Sequence, residues 1–226
     1  MKKINLRYDI LVVSFLLLSL TACQKPAPKS EASPVTGKTI NSNISVSATT
    51  SDALPKDTET VKEPIKDASS RVTKKPFGLK VSPSNSPVQP ERFSGYHTGV
   101  DFETFSGEAD SVVAIKAACS GTVIYKQRVS GYGGVFIQSC ELETKPVTVL
   151  YGHLAISSIS LKIGDKVAAG ELIGNLGQGF SAETDGERKH LHLGIHQGKN
   201  IDLRGYVQKP EELSQWLDIT KLLLNS

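Results

Sequence analysis

From His190 to His196 polar and apolar positions alternate without a break: His190, His192, Gly194 and His196 against Leu191, Leu193 and Ile195. A strand repeats its side chains every two residues, so this stretch is predicted to turn its histidines to one face and its aliphatic residues to a core. Gly194, on the histidine face, is expected to leave room beside His192 for an ion, a water or a substrate backbone. Shorter runs of the same kind predict strands at Thr98–Phe102, Val112–Ile115, Thr122–Arg128, Val135–Gln138, Val147–Tyr151 and Leu172–Leu176. The glycine-rich Ser130–Gly134 reads as a hairpin turn. Helical spacing occurs only in Glu211–Leu224, where Leu213, Trp216, Leu217, Leu222 and Leu223 could dock on a core. The predicted fold is therefore mostly β, with one short C-terminal helix.

The N-terminal third has a different pattern. Ile10–Leu20 is an apolar run of 11 residues behind Lys2, Lys3 and Arg7. That is shorter than the roughly 20 residues needed to span a bilayer, so residues 1–22 read as a cleaved export signal. Leu20-Thr21-Ala22-Cys23 resembles a bacterial lipobox, which makes Cys23 the expected lipidated residue and mature N-terminus. Gln24 after it resembles the pattern sent to the outer membrane of Gram-negative bacteria, so the periplasmic face of that membrane is the expected location. From Gln24 to Pro76 there is no aromatic residue, and Ser, Thr, Ala, Pro and Lys dominate. Such a segment buries too little apolar surface to offset its ordering entropy, and residues 23–76 read as a disordered tether carrying a domain of residues 77–226.

Charge narrows the function classes. The net +3 of the whole chain misleads, because residues 77–226 hold 14 basic and 16 acidic side chains. A domain without basic excess is not expected to bind nucleic acid. In an oxidising compartment Cys119 and Cys140, which flank a predicted hairpin, could be bridged, or could remain two buried thiols.

All five histidines lie in the predicted domain. His97 and Asp101 stand four apart in an extended context, and two imidazoles with one carboxylate are a common zinc set that leaves a fourth position for water. His97, Asp101 and one of His190 and His192 could supply it. An iron centre built on two histidines and a carboxylate is disfavoured, since the usual His-x-Asp spacing is absent.

His97-Thr98-Gly99-Val100-Asp101-Phe102, Leu150-Tyr151-Gly152-His153-Leu154 and His190-Leu191-His192-Leu193 resemble, in order, the three motifs of the M23 metallopeptidases, the lysostaphin- or LytM-type endopeptidases of peptidoglycan. The likeness runs from about Phe93 to Ile195 and takes in Gly131-Tyr132-Gly133-Gly134 and Leu161–Gly174. It implies an antiparallel β-sheet with a narrow groove, and Zn2+ held by His97, Asp101 and His192. His153 and His190 become the two catalytic histidines, acting on stem peptides or cross-bridges. His196 matches no metal position in the family and is expected to be structural or part of the groove wall, with Tyr96 and Tyr132 as further candidates for that wall. Gly177–Arg188 reads as a mobile loop beside the groove that shapes specificity. Relatives that have lost metal ligands activate other cell-wall hydrolases, and partners of that kind are the alternative reading. Here every ligand and catalytic position is filled.

Overall fold

The computed structural model describes residues 61–224. The expected export signal, Cys23 and the expected tether as far as residue 60 lie outside the described residues. Among the described residues, no helix is long and apolar enough to cross a membrane. The strands, in chain order, are β1 (Lys80–Val81), β2 (Gly95–His97), β3 (Val100–Glu103), β4 (Ala114–Lys116), β5 (Gly121–Val129) and β6 (Gly133–Leu142). They continue with β7 (Lys145–Gly152), β8 (Lys166–Val167), β9 (Leu172–Asn175), β10 (His190–Gln197), β11 (Tyr206–Val207) and β12 (Trp216–Leu217), before the helix α1 (Ile219–Leu224).

A seven-stranded antiparallel sheet runs β12-β10-β7-β6-β5-β8, with β3 also paired to β10. β10 lies between β7 on one side and, on the other, β3 along its first half and β12 near its end. Leu191, Leu193 and Ile195 are almost wholly buried, on the face opposite the histidines. They join Phe102, Phe136 and Tyr151 in the main core. The opposite face of β6 and β7 carries a smaller cluster of Tyr132, Val135, Ile137 and Leu150. Two hairpins connect the long strands. The turn between β5 and β6 uses Gly131 and Gly133 at φ 88° and 69°, and that between β6 and β7 uses Glu143 and Thr144, both at positive φ. Two consecutive positive φ values match the twist of a two-residue hairpin, although Asn-Gly is the usual choice. Cys119 and Cys140 form a disulfide with Cα atoms 6.3 Å apart, tying the approach to β5 to the end of β6.

Three expectations give way here. Residues 61–76 are not the disordered tether expected of them. Val61, Ile65 and Ala68 are buried in the main core, and Lys62 N and Lys116 N donate to the carbonyls of Ala118 and Pro64 at 2.8 Å each. Three apolar residues in an otherwise polar segment suffice to dock it. The helix expected over Glu211–Leu224 is broken into a 3-10 turn at Pro210–Gln215, strand β12 and α1. Trp216 pairs with His196 of β10 instead of continuing the helix, and Asp218 accepts from the Thr220 amide at the start of α1. The expected mobile loop over Gly177–Arg188 is pinned. The buried Thr184 hydroxyl lies within 3.3 Å of the Gln178, Ser181 and Glu187 carbonyls, and Gly134 N donates to Glu183 O at 2.8 Å.

Candidate metal centre

Strand register assembles the site. On β10, His192 lies directly across from Asp101 of β3 and Gly152 of β7, and His190 lies across from Glu103. His97 ends β2, and Thr98 and Gly99 carry the chain from it into β3. A Cβ on Gly99 would stand 2.5 Å from the Leu193 carbonyl oxygen and 2.7 Å from His192 Nε2, so no side chain fits there. A Cβ on Gly194 would meet nothing nearer than 3.7 Å, and Gly99 is the glycine that the His192 ring requires. His153 follows the last residue of β7 at φ 64°, a left-handed conformation that costs a non-glycine residue about 1–2 kcal/mol and recurs at functional sites.

Three ligand atoms converge. His97 Nε2 is 3.0 Å from His192 Nδ1 and 3.2 Å from Asp101 Oδ1, and His192 Nδ1 is 3.1 Å from the same oxygen. A tetrahedral zinc site with bonds of about 2.0–2.1 Å has ligand–ligand edges of about 3.3 Å, so this triangle has the dimensions of one tetrahedral face. Protonation supports the fit. His97 Nδ1 lies 3.1 Å from the Pro76 carbonyl, which can only accept, so Nδ1 carries the proton and Nε2 turns a lone pair toward the cluster. Burial pushes His192 down to about 4 against the opposing pull of Asp101, so its imidazole is neutral at ordinary pH. Burial would raise the pKa of Asp101, but the neighbouring rings of His190, His97 and His192 outweigh it and hold the carboxyl well below its usual range. Two ring nitrogens and a carboxylate oxygen this close, all buried, form a donor set suited to a divalent cation.

The titration of this cluster has a measurable consequence. Histidines in the unfolded chain take up protons near pH 6.5. The folded chain resists this, because burial holds His192 near 4 and, with the neighbouring His190 ring, holds His153 well below its ordinary value. As pH falls from about 6.5 to 4 the unfolded state gains protons that the folded state does not, and stability drains away through that window. His192 alone accounts for on the order of 3 kcal/mol. The melting temperature of metal-free protein is expected to fall steadily from pH 7 to pH 4, and a flat profile would contradict neutral imidazoles.

His190 and His153 face the same cleft. His190 Nδ1 donates to the Arg188 carbonyl at 2.9 Å, leaving Nε2 3.3 Å from Asp101 Oδ2. The His153 ring lies 4.3 Å from that of His190, centroid to centroid, and its buried Nδ1 has no hydrogen-bond partner. Tyr132, Tyr206, Phe93, Arg188 and Lys75 complete the walls. Residues 95–203, which contain every one of the five site residues, match the family model for peptidase family M23. Over these residues the chain resembles an M23 peptidase domain.

The chain is similar to part of the endolysin of Staphylococcus phage 2638A, at 33% identity over 120 residues. That alignment covers 53% of this chain and 23% of the endolysin, so this chain spans less than a quarter of its curated relative. Among solved structures, the catalytic domain of the antimicrobial peptidase lysostaphin from Staphylococcus simulans is similar at 21% identity, with 66% of this chain and 89% of that one covered and a TM-score of 0.44. Helicobacter pylori Csd3 is similar at 22% identity, covering 66% and 35%, with a TM-score of 0.42.

Several residues of the site carry no signal in the sequence. Arg188 Nη2 donates to Asp101 Oδ2 at 2.9 Å, while the same guanidinium is paired with Glu103. It thereby holds the carboxylate oxygen that points away from the ligand triangle. Tyr206 stacks on Phe93 and lies against His97, and its hydroxyl accepts from Lys75 Nζ at 3.1 Å. Tyr132 is a cleft residue, whereas Tyr96 sits under Lys80 and is not among the residues lining the cleft. His196 stands apart from the metal cluster. It packs edge-on against Trp216, and its Nε2 is 3.7 Å from Asp202.

Proposed function

We propose that the chain is a zinc endopeptidase that hydrolyses peptide bonds in peptidoglycan stems or cross-bridges. The observation that carries this is the convergence of His97, Asp101 and His192 within hydrogen-bonding distance of one another, with His190 and His153 facing the same cleft. The match to the model of peptidase family M23 supports the peptidase, and similarity to a phage endolysin supports a cell-wall substrate.

A zinc ion held by the three ligand atoms would supply Lewis acidity toward the scissile carbonyl. His190 is the better general base of the two free histidines. Its Nδ1 proton is committed to the Arg188 carbonyl, so the Nε2 lone pair is available to take a proton from the attacking water. Asp101 Oδ2 beside it stabilises the imidazolium that results, and the same proton can then pass to the leaving amine. His153, kept neutral by burial, can present a ring N–H to the developing oxyanion. Arg188 keeps Asp101 from rotating between these two duties.

Cys23 would anchor the enzyme by lipid, on the periplasmic face of an outer membrane, and the tether would give the domain its reach. An enzyme in that position meets directly cross-linked peptides more often than glycine bridges, which makes D,D-endopeptidase activity the preferred specificity. Digestion of purified sacculi by the zinc-loaded full chain, followed by mass spectrometry, is expected to convert cross-linked dimers to monomers with a newly freed amine. Release of nothing, together with stimulation of another cell-wall hydrolase, would replace the enzymatic reading by the activator one.

A further inference from the structure

The family match begins at residue 95, yet two of the three converging ligands are held by chain that precedes it. Asp101 N donates to the Lys75 carbonyl at 3.0 Å, and His97 Nδ1 donates to the Pro76 carbonyl at 3.1 Å. His97 N donates to Leu79 O at 2.9 Å, and Gly78 N donates back to His97 O at 2.8 Å. Two nearly fully buried side chains fasten this segment. Arg71 donates to the Glu103 carbonyl of β3 at 3.0 Å, to the Lys66 carbonyl at 2.6 Å and to both carboxylate oxygens of Glu108 at 2.7 and 2.9 Å. Lys75 is paired with Glu91 at 2.5 Å and donates to Tyr206. Val61, Ile65 and Ala68 seat the segment's other end in the core.

We propose that residues 61–79 form a positioning element of the metal centre, with Arg71 and Lys75 as its fastenings, so that the functional unit is longer than the family segment. This rests on the zinc reading of the site. The physical reason is tautomer control. An imidazole has two nitrogens that can carry its proton, and only the acceptor at Pro76 commits His97 to the form whose Nε2 lone pair faces Asp101 and His192. The Lys75 carbonyl does the corresponding work on the backbone of Asp101. Because the contacts to the ligands come from backbone carbonyls, the element acts through the position of the chain rather than through side-chain contacts to the ligands. Displacing it removes partners from both ligands together.

The test is zinc affinity of the full chain, measured by competition with a chromophoric chelator. Arg71→Met is expected to weaken zinc binding by about 10–100-fold, the usual cost of losing a ligand's outer partner, and to alter the visible absorption of the cobalt-loaded protein. Ile173→Val, a core change on β9 away from the site, serves as a comparison for general destabilisation and is expected to leave zinc affinity unaltered. Should Arg71→Met fail to fold, Pro76→Gly keeps the carbonyl but frees its backbone, and a several-fold loss of affinity is expected. Wild-type affinity in folded Arg71→Met or in Pro76→Gly overturns the proposal, as does an equal loss in Ile173→Val. A wild-type chain that takes up no zinc removes the underlying reading instead, and is recognised before any variant is compared.

Discussion

Replacing His190 by alanine is expected to lower turnover of cross-linked peptide by about 10²–10⁴-fold while the protein still binds one zinc per chain. The separation follows from the alternation along β10. His190 and His192 share a face, but only His192 places a nitrogen within 3.2 Å of both His97 and Asp101. The contact of His190 is with Asp101 Oδ2, the oxygen outside the ligand triangle. Removing its ring leaves Arg188 on that oxygen, so the carboxylate keeps its orientation. Kinetics and metal analysis on the same preparation check both halves of the expectation. Loss of zinc together with activity would mean that His190 belongs to the ligand set.

Asp101→Asn is expected to do what His190→Ala does not: lower zinc affinity by more than about 100-fold, beyond the roughly 10–100-fold typical of an outer partner. The carboxylate serves two sides at once. Oδ1 faces the two ligand nitrogens, and Oδ2 accepts from Arg188 and lies beside His190. An amide cannot serve both. With its oxygen toward Arg188, its NH₂ meets the ligand lone pairs, and with its oxygen toward the triangle, its NH₂ meets the guanidinium. The negative charge that opposes the cation is also lost. Chelator competition would show the change directly, and near wild-type affinity would contradict Asp101 as a ligand.

The central strand was legible because its physics is local. A period-two alternation through Leu191, Leu193 and Ile195 leaves no other burial, and the register then brings His192 opposite Asp101. The lengths of the hairpin strands were less legible. β6 and β7 extend to a Glu143-Thr144 turn that carries none of the glycine or asparagine that advertises such a turn. The C-terminal pattern failed for a tertiary reason, since Trp216 finds its partner across β10 rather than along a helix. Composition was the weakest guide for residues 61–76. Their apolar residues are few, but they are spaced to reach one core, and the Lys75 and Pro76 carbonyls that bind Asp101 and His97 are invisible to any reading of side chains. Arg188 was missed for the same kind of reason, its partners Asp101 and Glu103 lying 87 and 85 residues away in sequence.

The most direct measurement of the central claim is a titration of zinc into metal-free full-length protein, with peptide-bond cleavage in purified sacculi followed at each addition. Cleavage that rises in proportion to zinc and levels off at one ion per chain is the expected result. A chain that binds its zinc stoichiometrically and cleaves nothing, or one that cleaves equally well without it, would contradict the account.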